Sequence, residues 1–118
     1  MAIIDILNVK KGKQVTFTTT PPGDDVTVYR GDLFTQVGTN PAKVVPPPFP
    51  PSQLEGAGAT ITVDDPSTAG EVFVFVISAT ATAATTISVR LVLPTSTKNY
   101  TVNLGTGLST SEWVLVPR

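Results

Sequence analysis

Short stretches in which apolar and polar residues alternate run through most of this chain. They are separated by glycine, proline and aspartate, and they cover residues 15–19, 26–30, 59–63, 71–78, 86–94 and 99–104. A period of two places successive side chains on opposite faces, which is typical of β-strands. The many threonine and valine residues, which are branched at Cβ, favour the same assignment. The pattern therefore predicts an all-β fold.

The last two stretches predict a hairpin with a well-defined inner face. Ile87, Val89 and Leu91 share one face of the first strand, and Val102 and Leu104 share one face of the second. The sequence PTSTK between the two strands is rich in turn-forming residues. We therefore expect these strands to pair with each other.

Two other stretches carry distinct signals. The run from Val72 to Ile77 is apolar on both faces, as expected of a central strand that is covered on two sides. The N-terminal stretch 2–9 fits either a helix or a strand. A strand with Ile4 and Ile6 on one face suits the β-rich remainder better.

Strands of this length and spacing are typical of two-layer β folds. A chain of 118 residues has the length of one domain. We therefore expect an antiparallel β-sandwich, immunoglobulin/fibronectin-like or jelly-roll, as a single domain over residues 1–114 with a long Pro-rich loop. Residues 115–118 read LVPR, which resembles the recognition sequence of thrombin, and we expect them to be the remnant of an expression tag.

A proline-rich segment at residues 39–58 interrupts the strand pattern. Its centre consists of Pro46, Pro47, Pro48, Phe49, Pro50 and Pro51. A linker is disfavoured because neither flank is long enough to be a domain, and a PxxP ligand would need more flanking basic residues than Lys43. Polyproline geometry is stiff. We therefore predict an interaction arm, anchored by Phe49, that crosses a sandwich face or a neighbouring subunit.

The chain contains no histidine and no cysteine, which removes the usual general base, the commonest metal ligand and thiol chemistry. We therefore expect a protein that is not an enzyme and needs no cofactor. Two aspartate pairs remain, Asp24 with Asp25 and Asp64 with Asp65. They are weak candidate ligands for calcium. A catalytic carboxylate pair is an alternative, and such pairs most often hold turns.

Three short motifs point to recognition of a cell surface or a glycan. Arg30, Gly31 and Asp32 form an Arg-Gly-Asp tripeptide, which resembles the integrin-binding motif and is expected where a strand turns. Trp113 would close the core or, if exposed, stack on a sugar. We treat these four residues as a candidate recognition loop. Asn99 begins an Asn-Tyr-Thr sequence that fits a glycosylation acceptor.

Charged residues are scarce. They make up 14% of the chain, and the mean hydropathy is +0.20, whereas an ordinary soluble domain has roughly 25% charged residues. A surface this poor in charge is expected to be partly buried against copies of the chain or a larger protein assembly. The few basic residues disfavour binding of nucleic acid, and the N-terminal apolar run is too short for membrane insertion.

Two functional classes follow. The favoured one is a non-catalytic structural subunit that self-associates or docks onto a larger assembly, with general similarity to the capsid-decorating proteins of tailed viruses. The alternative is a secreted lectin-like or cell-surface-binding module that recognises a glycan or an integrin. Residues 86–102, Glu112 with Trp113, and Val9 with the two following lysines resemble parts of the fungal immunomodulatory proteins, a resemblance that implies a small lectin-like sandwich. The expected location is a virion surface or the extracellular space.

Overall fold

The computed structural model describes residues 2–64 and 69–118, which form two β-sheets packed face to face. The elements are β1 (Ala2–Val9), β2 (Lys13–Thr19), β3 (Val26–Val37), β4 (Lys43–Phe49), α1 (Pro51–Leu54), β5 (Ala59–Val63), β6 (Glu71–Ala81), β7 (Thr85–Val92), β8 (Thr97–Leu104) and β9 (Gly107–Pro117). The predicted all-β sandwich is confirmed.

The strands divide into a five-stranded and a four-stranded sheet. The five-stranded sheet has the order β1-β9-β6-β3-β4, and the four-stranded sheet has the order β5-β2-β7-β8. Neighbouring strands are antiparallel in every described pair except β1 and β9, which run parallel. The predicted β7–β8 hairpin is confirmed, and β6 has the predicted central position.

Five aromatic rings form a continuous chain through the core and join the two sheets. In order of contact they are Phe49, Phe75, Phe17, Trp113 and Tyr100, with centroid separations of 5.8, 4.3, 5.5 and 5.7 Å. Phe17 and Phe75 stack, while the other contacts are edge-to-face. Such pairs stabilise a core beyond the area that they bury. We call these residues the aromatic chain.

The N-terminal segment is a strand, as favoured, but its alternation differs from the prediction. The register between β1 and β9 shifts between Ile3 and Asp5. Leu7 and Val9 therefore point into the core, and Ile6 is 61% exposed. A bulge adds a residue to one strand and so reverses the faces beyond it.

The C-terminal residues belong to the folded domain, which corrects the expected boundary at residue 114. Leu115 is fully buried and is paired with Phe73 of β6 and Leu7 of β1. The amide of Arg118 donates a hydrogen bond to the carbonyl of Val9 over 2.9 Å. An origin of residues 115–118 in an expression tag stays a prediction, but residues 115–117 complete β9.

The proline-rich segment 39–58 is mostly regular structure and not a free loop. Residues 43–49 form β4, the edge strand beside β3, and α1 follows directly. Phe49 is partly buried against Phe75, and Leu54 of α1 is fully buried. Phe49 thus packs within its own sandwich, and the role of the segment as an interaction arm stays a prediction.

Gly31 in β3 allows the aromatic chain to pack. An added Cβ at this position would lie 2.6 Å from Cζ of Phe75, and Phe75 is held by its stack on Phe17. We predict that Gly31→Ala lowers the free energy of unfolding by about 2 kcal/mol, the usual cost of overpacking a core. Urea unfolding would measure it.

Gly23→Ala is the matched control, because nothing lies within 4 Å of an added Cβ there. Its unfolding midpoint should stay close to that of the wild type. Equal stability of the two variants would contradict the role assigned to Gly31.

Candidate interaction surface

A row of apolar side chains crosses the outer face of the five-stranded sheet from edge to edge. The register pairs Val44 with Phe34, Phe34 with Val74, Val74 with Val114, and Val114 with Ile6. Directly paired residues point to the same side of a sheet. We call these five residues the apolar row. Its two ends are open to solvent, with Val44 59% and Ile6 61% exposed.

The central strand β6 has apolar residues on both of its faces, as the sequence indicated. Phe75 and Ile77 face the four-stranded sheet, while Val74 and Val76 face outward. Val74 is only 5% exposed, since the side chains of the adjacent strands flank it. Within the described residues, however, the outer face has no second layer over it. The apolar pattern of β6 predicts cover on both faces, and within the described residues only the inner face is covered, by the four-stranded sheet.

Two further apolar residues lie at one end of the outer face. Val28 and Leu108 are paired through Thr80 of β6, and both are more than half exposed. Of the seven exposed large apolar residues of the described chain, five are on this face: Ile3, Ile6, Val28, Val44 and Leu108. Single exposed apolar residues are ordinary, whereas five on one face mark that face as the candidate interaction surface.

Three charged residues occupy the middle of the outer face. Arg30 and Asp32 of β3 form an ion pair of 3.1 Å between Nε and Oδ2. Glu112 of β9 lies in the same cross-strand row as Asp32, on the far side of Val76. Together they line a shallow cavity of about 330 Å³. Within the described residues Glu112 has no ion-pair partner.

The candidate recognition loop is not a loop, which corrects the prediction. Arg30, Gly31 and Asp32 lie inside the twelve-residue strand β3, between β4 and β6. The glycine is required for packing against Phe75 and not for a turn. Trp113 lies in β9, is fully buried, and packs edge-to-face on two rings of the aromatic chain. An indole in that position cannot stack on a sugar.

The prolines of the predicted interaction arm lie along one edge of the sheet. Pro46, Pro47 and Pro48 belong to β4, Pro50 and Pro51 follow it, and all five are exposed. Part of this run and Phe49 line an apolar groove of about 650 Å³ together with the first half of β3. Since proline has no amide hydrogen, the outer edge of β4 is a poor template for another strand.

The aspartates proposed for calcium are spread over two turns. Asp24 and Asp25 precede β3, Asp64 follows β5, and Asp65 lies outside the described residues. The carbonyl of Asp25 accepts hydrogen bonds from the amide and hydroxyl of Thr82, at 2.7 and 3.2 Å. The described part of the chain contains no group of three acidic side chains that could hold a metal ion. Among the described residues, Asp24, Asp25 and Asp64 thus receive no geometric support as a metal site.

Asn99 of the glycosylation sequence is exposed on β8, the edge strand of the four-stranded sheet.

No helix of the described residues has the length and apolar character needed to span a membrane.

One polar cluster closes the side of the sandwich between β1 and β8. The hydroxyl of Tyr100 donates a hydrogen bond of 2.7 Å to the carboxylate of Asp5, and Lys98 lies 3.6 Å from the same oxygen. The hydrogen bond from Tyr100 lowers the pKa of Asp5 below its ordinary value. Burial, aided by the hydrogen bond and the charge of Asp5, raises the pKa of Tyr100.

No family model, curated protein or solved structure matches the chain. The resemblance of residues 86–102 to the fungal immunomodulatory proteins therefore stays an expectation from the sequence. The function has to be inferred from the surface of the molecule itself.

Sequence reasoning missed the apolar row. Its members come from five strands, and only the register of those strands brings them together. The signals that pointed to such a surface were the low content of charged residues and the two-sided apolar pattern of β6. Neither signal says which face is exposed.

Tyr100→Phe tests the polar cluster while keeping the ring contact with Trp113. We predict a loss of about 1–2 kcal/mol in the free energy of unfolding at pH 7, toward the low end of the range for a hydrogen bond to a charged group because Asp5 is partly exposed. The folded-state pKa of Asp5 is lowered, so its stabilisation is present above its unfolded pKa of about 3.9 and is lost as the pH falls through the folded value. The difference between wild type and variant, measured by urea unfolding, should therefore shrink in acid.

Lys98→Met is the control. The lysine is about half exposed, and an ion pair of this kind contributes less than about 1 kcal/mol. A larger effect for Lys98→Met than for Tyr100→Phe would contradict the assignment.

Proposed function

We propose that this protein is a non-catalytic structural subunit that binds other protein surfaces, by self-association or by docking onto a larger assembly of the capsid-decoration type. The observation that carries the proposal is the apolar row across the outer face of the five-stranded sheet. Removing such a surface from water is favourable by about 25 cal/mol per Å² of apolar area. A second protein layer over this face would supply the cover that β6 lacks on its outer side.

The composition supports the same proposal. Charged residues are 14% of the chain, and three of them, Arg30, Asp32 and Glu112, lie together in the middle of the outer face with apolar residues at both ends. Protein interfaces commonly combine an apolar surface with a few polar groups that fix orientation. The face has this composition.

Association through the face is favoured over association through the edge of β4. The edge carries Pro46, Pro47 and Pro48, which cannot donate the amide hydrogen bonds needed to extend a sheet. The outer face is not restricted in this way.

The alternative function, recognition of a glycan or an integrin, has less support. Its candidate residues are Arg30, Gly31 and Asp32 within a strand and the buried Trp113. An integrin-binding tripeptide has to be displayed with both charged side chains free, whereas Arg30 and Asp32 are paired with each other. We therefore propose only the structural role.

Ile6→Lys tests the proposal at one end of the apolar row, and Val44→Lys tests it at the other. Both side chains are more than half exposed, so folding should be unaffected. We predict earlier elution of each variant than the wild type from a hydrophobic-interaction column. Where light scattering gives the wild type a mass above the 12.3 kDa of one chain, each variant should associate about tenfold more weakly, equivalent to about 1.4 kcal/mol.

Val92→Lys is the matched control, because Val92 is exposed on β7 in the other sheet. It should leave the associated mass unchanged and alter column retention less. A monomeric wild type that is retained no more strongly than Ile6→Lys and Val44→Lys would refute the proposal.

A further inference from the structure

The outer face is complementary to itself, and we propose that it binds the outer face of a second copy of this chain. This inference builds on the proposed function and names the partner. The two copies are related by a two-fold axis that is approximately parallel to β6 and lies between the two outer faces. The β6 strands then face each other, β3 faces β9 of the second copy, and β4 faces its β1.

The apolar row supports this arrangement because β6 is the central strand of five. Rotation about this axis places the row of one copy on the row of the other in reverse order. Val44 meets Ile6 of the second copy, Phe34 meets its Val114, and the two Val74 side chains meet at the axis. Every member of the row thus meets an apolar partner, as a two-fold interface requires of one surface used twice.

The exposed residues at one end of the outer face, Val28 and Leu108, are also brought together by the rotation. Val28 and Leu108 flank β6 at equal distances, since each is paired with Thr80. Rotation about the two-fold axis places Val28 against Leu108 of the second copy, and Leu108 against its Val28. The rotation would thus create two equivalent contacts between Val28 and Leu108, and both exposed side chains would be covered in each copy.

The charged residues distinguish a second copy from a wholly apolar partner. Arg30 is paired through Ser78 with Thr110, one row away from Glu112. A side chain as long as arginine can cross one row, so in the paired copies Arg30 lies between its own Asp32 and Glu112 of the second copy. Glu112, which has no ion-pair partner among the described residues, gains one. An apolar partner would leave it buried and unpaired, which is costly.

The area of the face is adequate for a stable dimer. Five strands about 4.8 Å apart and nine residues with a rise of about 3.3 Å give a face of roughly 700 Å² per copy. The pair would bury about 1,400 Å² in total, within the range of about 1,200–2,000 Å² for specific interfaces.

The test uses Arg30→Glu and Glu112→Arg, each alone and then mixed in equal amounts. In each variant alone, residues 30 and 112 of the two copies carry the same charge, and we expect association at least tenfold weaker than that of the wild type. In the mixture both contacts join opposite charges. We expect the mixture to recover a species of twice the 12.3 kDa chain mass, measured by light scattering and by native mass spectrometry.

Folding is checked by circular dichroism and urea unfolding, which should give near-native midpoints because Arg30 is exposed and Glu112 is only partly buried. A wild-type dimer that neither charge variant weakens, or a mixture that stays monomeric, would overturn the proposed arrangement. The proposed function would survive that result if Ile6→Lys still dissociates the wild-type species. A wild type that is monomeric up to about millimolar concentration would overturn the second copy as partner, while column retention would still test the function separately.

Discussion

The stack of Phe17 on Phe75, at 4.3 Å between ring centroids, is the contact on which the rest of the molecule depends. It joins β2 of one sheet to β6 of the other, and the remaining rings of the aromatic chain attach to it on either side. Gly31 is required because Phe75 fills the space of a side chain at that position. Phe49 packs on the same ring and so holds the edge strand β4 in place. A sandwich with no disulfide obtains its inter-sheet order from these contacts.

The inner packing also determines what the molecule shows to solvent. Once Phe75 and Trp113 point inward, alternation sends Val74 and Val114 outward, and the register sets both beside Phe34 of β3. A slip of one residue in any strand would exchange the two faces of that strand. The position of the apolar row on the outer face is therefore fixed by the same core contacts that fold the domain.

The sequence predicted the parts of this structure that depend on local pattern. Alternation gave the inner faces of β7 and β8, as the buried Ile87 and Val102 illustrate, and the two-sided apolar run gave the position of β6. Prediction from the sequence failed where a residue's role depends on contacts with residues far away in the chain. Gly31 suggested a turn, but its small size serves packing within a strand, and the prolines of β4 concealed an edge strand that has no alternation. The surface was predicted to exist from the low charge, but its location required the register of five strands.

The two edges of the five-stranded sheet decide what kind of assembly the outer face can enter. Prolines 46–48 have no amide hydrogens to donate to a strand that pairs with β4, and a bulge interrupts the register of β1 at the opposite edge. An apolar sheet with open edges could grow sideways as well as stack, which is the geometry of a fibril. In the proposed pair, with lateral growth obstructed, stacking of the two outer faces would bury the apolar row of both copies. Association by this route would then stop at two chains, because no apolar row would be left open for a third.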